Sequence, residues 1–456
     1  MKTIKSTMKM IKNTCKKTKL LVLILVLMLP VTINAQEIIP QEGIARKFLM
    51  HLVNKEVGEM LPMFSEDFLQ QVPEGQITEI AQGLETQLGP FKHVSRVLHE
   101  TDDNYHTVIL VCRFGEMDWG MRITLDRDDK VAGFFLTMAP PESYTPPPAW
   151  IDSTAFEEVA MEIDCGDIKL PAMFAKPLAA ANFPVVVLVH GSGAHDMDQT
   201  IGPNKIFRDI AQGLANKGVG VLRYEKRNFR HPHTFDLETV TVWDEAGRDA
   251  VHAIHSAMQM PEVDPGRVFL LGHSLGGMIA PRIAAEVPEL AGIISLAGTP
   301  RKLYEVIPGQ LEYLMSLSEE ASDAAAEQLA ETREIVARLR DKIGRPDAVY
   351  STSLLGMPPS YLEDMNRHDT GKIAAGLPQA ILIVHGGRDY QVTMDDYNAW
   401  KNALQNHHNS TFKLYPEMDH LFIAGDEPST PASYFEENNV DKRVIEDIAD
   451  WIRMQR

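Results

Sequence analysis

The sequence predicts an α/β fold, a doubly wound and mostly parallel sheet with a helical lid, preceded by a small α+β domain. Two observations predict it. From residue 150 onward, short apolar segments alternate with amphipathic ones, and this alternation is typical of a parallel sheet covered by helices on both faces. Between residues 38 and 140, two amphipathic segments precede a run of strand-like segments. That order is typical of an α+β unit.

The first 35 residues are predicted to be a signal peptide. Seven lysines and no acidic residue precede an apolar run at residues 20–29, which Pro30 ends before the small residue Ala35. This layout is typical of secretory signals, and the apolar run is too short to cross a bilayer comfortably. A retained membrane anchor is the alternative. We therefore expect an exported protein, periplasmic or secreted, with no stable membrane partner after cleavage.

Charge and cysteine content restrict the possible partners. The chain has a formal charge of −19, and without residues 1–35 it has 37 basic and 63 acidic residues, a charge of −26. A surface this acidic argues against nucleic acid or anionic lipid as a partner. Cys112 and Cys165 fall in different predicted domains without metal-ligand spacing, so two buried thiols are expected, although export would permit a disulfide. We expect no metal and no cofactor.

The chain divides at a proline-rich linker, residues 141–149. The domain in front of it, residues 38–140, carries no cluster of residues that suggests chemistry. Its predicted helices are 43–54 and 77–88, and its predicted strands are 93–98, 105–114, 119–125 and 131–136.

Residues 150–456 are predicted to hold the parallel sheet, with strands at 184–189, 219–224, 267–271, 291–296, 380–384 and 410–414. Residues 301–376 interrupt the alternation with a long Ala/Glu-rich helix that Ser318 should cap. We expect this insertion to form a helical lid. Tyr350, Leu355 and Tyr361 are its candidate pocket residues.

The strongest chemical signal lies at residues 272–276, which fit the pattern G-x-S-x-G. An apolar strand precedes the pattern and a helix follows it, which is the context in which this motif forms a sharp turn that exposes a nucleophilic serine. Small residues at 272 and 276 allow the flanking backbone to approach closely. Ser274 is therefore the predicted nucleophile.

A serine hydroxyl needs a base, and the base needs an orienting carboxylate. His420 follows the last predicted core strand, whereas its rivals His407 and His408 precede that strand and read as solvated. Asp389 lies on the turn after an earlier strand. Its alternative, Asp419, adjoins the histidine in sequence, and sequence neighbours rarely face each other in a triad.

The oxyanion of an acyl-transfer reaction needs two backbone donors. One should be the N–H of Leu275, directly after the nucleophile. The other should come from the loop at residues 190–194, where the Ser192 N–H is the first candidate and Gly193 the second.

These residues resemble bacterial α/β hydrolases of the dienelactone-hydrolase and prolyl-oligopeptidase-like esterase group. The resemblance covers roughly residues 150–456 and is carried by segments 272–277, 190–193 and 388–392; segments 196–205 and 222–227 also match a structural signature beside the active site of this group. Residues 40–138 resemble the small domain of unknown function often fused in front, which is similar to nuclear-transport-factor-2-like domains.

The resemblance implies a serine esterase that cleaves a small-molecule carboxylic ester through an acyl-enzyme. An amidase or aminopeptidase of the prolyl-oligopeptidase-like group is the alternative enzyme. A binding protein that acts through its N-terminal domain is the alternative of another class. The sequence leaves the oligomeric state open.

Overall fold

The computed structural model describes residues 40–101, 104–115, 117–178, 181–231, 234–236, 238–317, 323–345 and 347–455. The predicted signal peptide and Ser318 lie outside these residues. Within them, no helix has both the length and the apolar character needed to cross a membrane.

The front domain packs helices against one antiparallel sheet. Its helices are α1 (Pro40–Val53), α2 (Val57–Met60), α3 (Glu66–Gln71) and α4 (Glu74–Leu88), and its strands are β1 (Phe91–Thr101), β2 (His106–Phe114), β3 (Met117–Leu125) and β4 (Val131–Met138). The strands pair in chain order. Helix α3 was not predicted from the sequence; Ser65 caps it, its Oγ accepting from the Phe68 N–H at 3.2 Å. Phe48, Leu110 and Ile123 lie in the buried core of this domain.

The second domain is built on an eight-stranded sheet, and it confirms the predicted fold class. Its strands are β5 (Phe156–Asp164), β6 (Lys169–Pro177), β7 (Phe183–Val189), β10 (Gly220–Tyr224), β11 (Val263–His273), β12 (Gly292–Leu296), β13 (Ala380–Gly386) and β14 (Ser410–Tyr415), and residues Thr200–Ile201 (β8) and Asn204–Lys205 (β9) form a separate small hairpin. The spatial order is β14-β13-β12-β11-β7-β10-β6-β5. All pairs from β14 to β10 are parallel, and the β5–β6 hairpin adds an antiparallel edge.

Helices cover both faces of this sheet. They are α5 (Ile206–Asn216), α6 (Arg227–Arg230), α7 (Arg248–Met258), α8 (Leu275–Glu286), α13 (Met394–Ala403) and α14 (Lys442–Met454). Successive residues of a strand point to opposite faces, so Val187 packs in the core beneath α7 and α8. Its neighbours Val186 and Leu188 pack in the core beneath α5 and α14.

In the described part of the region between β12 and β13, which was predicted to be a lid, the structure has four helices. They are α9 (Leu303–Ser316), α10 (Asp323–Arg340), α11 (Pro359–Arg367) and α12 (Thr370–Ala375). The sequence predicted one long helix there, and the part of it within the described residues is α10. The other three helices were not predicted: α9 contains Pro308, which interrupts the helical pattern, and α11 and α12 are short.

The linker and one arginine join the two domains. Thr145 donates from Oγ1 to the side-chain oxygen of Asn204 at 2.8 Å, so the linker is fixed to the second domain. Arg122 of β3 is only 8% exposed. Its guanidinium lies 5.5 Å from the ring of Phe135 in its own domain and 5.1 Å from the ring of Phe229 in the other. The front domain therefore packs directly against the second.

Both cysteines of the described residues are buried free thiols. Cys112 lies in the front-domain core and Cys165 in a core of the second domain. Burial raises the pKa of each thiol to about 12.

Candidate active site

The backbone at Ser274 has the strained conformation of a sharp strand-to-helix turn. Ser274 lies between β11 and α8 with φ 53° and ψ −114°, a region that non-glycine residues seldom adopt. A Cβ atom on Gly272 would lie 2.1 Å from the carbonyl oxygen of Gly276, and one on Gly276 would lie 2.2 Å from that of Val189. Glycine is therefore required at both positions flanking the serine.

Asp389 and His420 form a buried pair on neighbouring loops. Asp389 follows β13, His420 follows β14, and the His420 Nδ1 lies 2.6 Å from the Asp389 Oδ2. The other carboxylate oxygen accepts from the backbone N–H groups of Gln391 at 2.8 Å and Val392 at 3.0 Å. These bonds fix the carboxylate, which in turn orients the imidazole so that Nε2 is left for a reaction.

The rival residues point elsewhere. Asp419 accepts through Oδ1 from the N–H groups of Leu421 and Ile423, at 2.9 and 3.0 Å, within its own loop. Burial raises the pKa of Asp419. His407 makes its hydrogen bond to the carbonyl of Leu377 at 2.9 Å. The structure thus brings Asp389, rather than Asp419, to the His420 ring.

A buried side-chain relay joins the two loops that flank Ser274. The Gly191 N–H donates to Oε1 of Gln199 at 3.0 Å, and Nε2 of Gln199 lies 2.6 Å from Nδ1 of His273. Nε2 of His273 donates to the carbonyl of His420 at 2.9 Å. Burial lowers the pKa of His273 to about 3. A neutral ring with its proton on Nε2 satisfies every contact in this relay.

The loop after β7 is held by a second network centred on Lys226 and Glu245. Lys226 donates from Nζ to the carbonyl oxygens of Gly191 and Gly193, at 2.8 and 2.7 Å, and to Oε1 of Glu245 at 2.8 Å. The Gly193 N–H donates to the same Oε1 at 2.9 Å. The prediction of Gly193 as an oxyanion donor is therefore corrected, because Glu245 already accepts that proton.

Leu275 and Ser192, the other two predicted donors, lie beside Ser274. Leu275 is the first residue of α8, and the first N–H groups of a helix have no carbonyl partner within it. Ser192 lines the same cavity as Ser274. An oxygen placed between them would also meet the positive end of the α8 dipole.

Glu245 is a charged residue of this site that sequence reasoning missed. Burial opposes its ionisation, but Lys226 and the hydroxyl of Tyr361, which donates to Oε2 at 2.6 Å, hold its pKa below the usual range. Burial lowers the pKa of Lys226. Gln199 and Lys226 fall in the segments whose family resemblance suggested a structural role beside the site, whereas Glu245 carries no sequence signal.

A cavity of about 690 Å³ opens onto Ser274. Leu355 and Tyr361, two of the predicted pocket residues, line this cavity, and residues of the front domain line it as well.

The third predicted pocket residue, Tyr350, is not among the lining residues, and that prediction is corrected. The Tyr350 hydroxyl accepts from Asn366 at 2.9 Å, and its ring lies beneath the ammonium of Lys342. Asp389 and His420 are buried and also lie outside the lining.

The part of the chain that the structure describes contains no group of three histidine, cysteine or acidic side chains placed to hold a metal. His231 makes a hydrogen bond to the carbonyl of Lys169 at 3.0 Å, and residues 232–233 lie outside the described chain.

Comparison with known proteins decides the family. Residues 186–433, more than half of the chain, match the alpha/beta hydrolase family. The chain belongs to the alpha/beta hydrolase family. The hydrolase is also similar to esterase EstD of Thermotoga maritima, with 36% identity over 405 residues, which cover 89% of this chain and 93% of that protein. Residues 45–134 match a family described as protein of unknown function DUF3887.

Solved structures resemble the hydrolase more distantly. Est1E of Butyrivibrio proteoclasticus is 18% identical with a TM-score of 0.43, covering 65% of this chain and 98% of its own. The acylaminoacyl peptidase of Pyrococcus horikoshii is 13% identical with a TM-score of 0.45, covering 80% of this chain and 56% of its own.

Proposed function

We propose that this hydrolase is a serine esterase that cleaves small-molecule carboxylic esters through Ser274, His420 and Asp389. One observation carries the proposal: Ser274 lies in a strained turn at the carboxyl edge of the sheet, where the loops after β13 and β14 bring Asp389 Oδ2 and His420 Nδ1 to 2.6 Å from each other. The similarity to esterase EstD supports ester cleavage in particular.

In the proposed reaction, Nε2 of His420 takes the Ser274 proton while Oγ attacks the ester carbonyl carbon. Asp389 accepts from Nδ1 and stabilises the imidazolium. The N–H groups of Leu275 and Ser192 stabilise the oxyanion. His420 then protonates the leaving alcohol, which leaves an acyl-enzyme. Water, activated by His420, hydrolyses this intermediate and restores Ser274.

The test compares the protein with Ser274→Ala. Two substrate series are used, p-nitrophenyl acyl esters and amino-acid p-nitroanilides, together with labelling by a fluorophosphonate probe. We expect ester turnover and labelling in the wild type, and a loss of several orders of magnitude in Ser274→Ala. Ser256→Ala is the matched control, because Ser256 lies on α7 and its hydroxyl donates to the His252 carbonyl of the same helix at 2.9 Å.

Undiminished labelling of Ser274→Ala would refute the nucleophile. Faster turnover of anilides than of esters would replace the esterase by an amidase or aminopeptidase. A wild type inactive on both series and unlabelled would favour a binding protein.

We also propose that the protein is exported to the periplasm or the medium, because residues 1–35 combine a lysine-rich start with an apolar run, as secretory signals do. N-terminal sequencing of the protein from fractionated cells should find a start near residue 36. A start at Met1 in the membrane fraction would indicate a retained anchor.

A further inference from the structure

The cavity at Ser274 is formed by both domains. The front domain contributes Phe68 and Val72, at and just after helix α3, and residues 132–135 of β4. The opposite walls come from the loop after β7 and from the insertion, including Ile307 of α9. A substrate carbonyl at Ser274 would therefore place part of the molecule against the front domain.

The aromatic rings of the front-domain wall pack on the core of the front domain. The ring of Phe68 stacks on Phe64 with centroids 4.4 Å apart and planes 8° apart. Phe134 packs edge-on against Phe48 at 5.0 Å. Both partner rings belong to the buried core of the front domain. Arg122 lies between the two domains, with its guanidinium over the ring of Phe135 in this wall and over that of Phe229 in the second domain.

The lining is apolar and nearly free of charge. Among its described residues, Glu245 is the one acidic or basic side chain, and its oxygens are taken by Lys226, Gly193 and Tyr361. The volume of about 690 Å³ lies within the range of pockets that enclose drug-sized ligands. An acetyl group would leave most of this space unfilled.

We propose that the front domain is the substrate-selecting wall of the active site, and that it binds the apolar group of an uncharged ester. The inference rests on the proposed function and adds the substrate class: esters whose acyl or alcohol part is a sizeable hydrocarbon group. Catalysis on small esters needs only residues of the second domain, whereas preference for large esters needs the front domain.

Two variants of the full-length protein test this. Gly133→Leu adds a side chain to a residue that lines this cavity, at a position where a Cβ meets no atom within 4 Å and the backbone does not require glycine. Phe68→Ala removes an aromatic ring from the same wall. Their controls lie in the front domain outside the lining: Gly43→Leu, where a Cβ also meets nothing within 4 Å, and Leu69→Ala, which is 38% exposed.

The measurement is the ratio of kcat/KM for a long ester to that for a short one. One series varies the acyl group, p-nitrophenyl octanoate against acetate; the other varies the alcohol, hexyl against ethyl acetate. We expect both variants to lower this ratio in at least one series, by about fourfold for each methylene that loses its apolar contact. Both controls should keep the wild-type ratio and should react with fluorophosphonate at the wild-type rate.

If both variants kept the ratio of kcat/KM within about twofold of wild type in both series, the inference would be overturned. The proposed function would still be supported in that case, provided that hydrolysis of p-nitrophenyl acetate depends on Ser274. If no ester of either series is hydrolysed by the wild type, the proposed function fails and this inference fails with it. Equal losses on long and short esters would also overturn it, because they would indicate a general defect.

Discussion

Replacing Asp389 by asparagine tests the proposed triad through the hydrogen bonds around one side chain. Oδ1 of Asp389 accepts from two backbone N–H groups, and Oδ2 faces Nδ1 of His420. In Asp389→Asn, only the amide oxygen can serve the two backbone donors, so the amide NH₂ must face the histidine. The imidazole then carries its proton on Nε2 and cannot accept the Ser274 proton.

The opposite amide orientation restores the active tautomer but leaves two buried N–H groups unpaired. That costs about 2–6 kcal/mol, so kcat should fall by roughly 30-fold to 10⁴-fold. The fold should survive, because the replacement keeps the size of the side chain. Turnover of p-nitrophenyl acetate and the rate of fluorophosphonate labelling measure the loss.

Asp419→Asn is the matched control for this change. The Asp419 oxygen accepts from Leu421 and Ile423, and an amide oxygen in the same place keeps both bonds. We expect its kcat to stay near that of the wild type. Asp389→Asn with kcat within a few-fold of wild type would refute the reasoning, and Asp419→Asn as the damaging change would identify the other carboxylate as the acid.

Three further changes probe the networks around the site. Gln199→Leu should lower the free energy of unfolding by about 2–6 kcal/mol, since it leaves a buried N–H and an imidazole nitrogen unpaired. It should also lower kcat, because Gln199 links the loops on either side of Ser274; urea unfolding and ester kinetics measure the two effects. Tyr361→Phe removes the donor to Oε2 of Glu245 and should lower the free energy of unfolding in urea by about 1.5–3 kcal/mol. An unchanged free energy would contradict a stabilising hydrogen bond between the two side chains. Burial raises the pKa of Glu225 from 4.5 to about 7. Because the folded state binds this proton more tightly, stability should decline as pH rises from about 4.5 through 7, by on the order of 3 kcal/mol. Glu225→Gln should abolish that decline. If the variant and the wild type lost stability equally as pH rises, Glu225 would not be the cause of the decline.

The sequence predicted those parts of the molecule that depend on local sterics and chain order. Glycine at 272 and 276 follows from backbone contacts within one turn. The parallel sheet follows from solid apolar strands such as β7, buried along its whole length. The sequence order of Asp389 and His420 gave the correct pairing because loops after neighbouring parallel strands meet at one edge of the sheet.

The sequence could not predict contacts that join distant segments. Glu245 receives hydrogen bonds from Gly193, Lys226 and Tyr361, which lie in three separate parts of the chain. No local pattern marks such a residue. For the same reason, the sequence does not reveal that the Gly193 N–H already donates to Glu245. Tyr350 was assigned to the pocket from its position in the insertion alone. The contribution of the front domain depends on how two domains pack, which hydrophobic periodicity does not encode.

The two buried thiols have a consequence for how the chain matures. Cys112 and Cys165 lie in separate cores, so they cannot be cross-linked without unfolding both domains. Folding of the described residues therefore needs no oxidant and no disulfide isomerase, and reductant should leave the urea midpoint unchanged. The native structure of the described residues should therefore also form under reducing conditions.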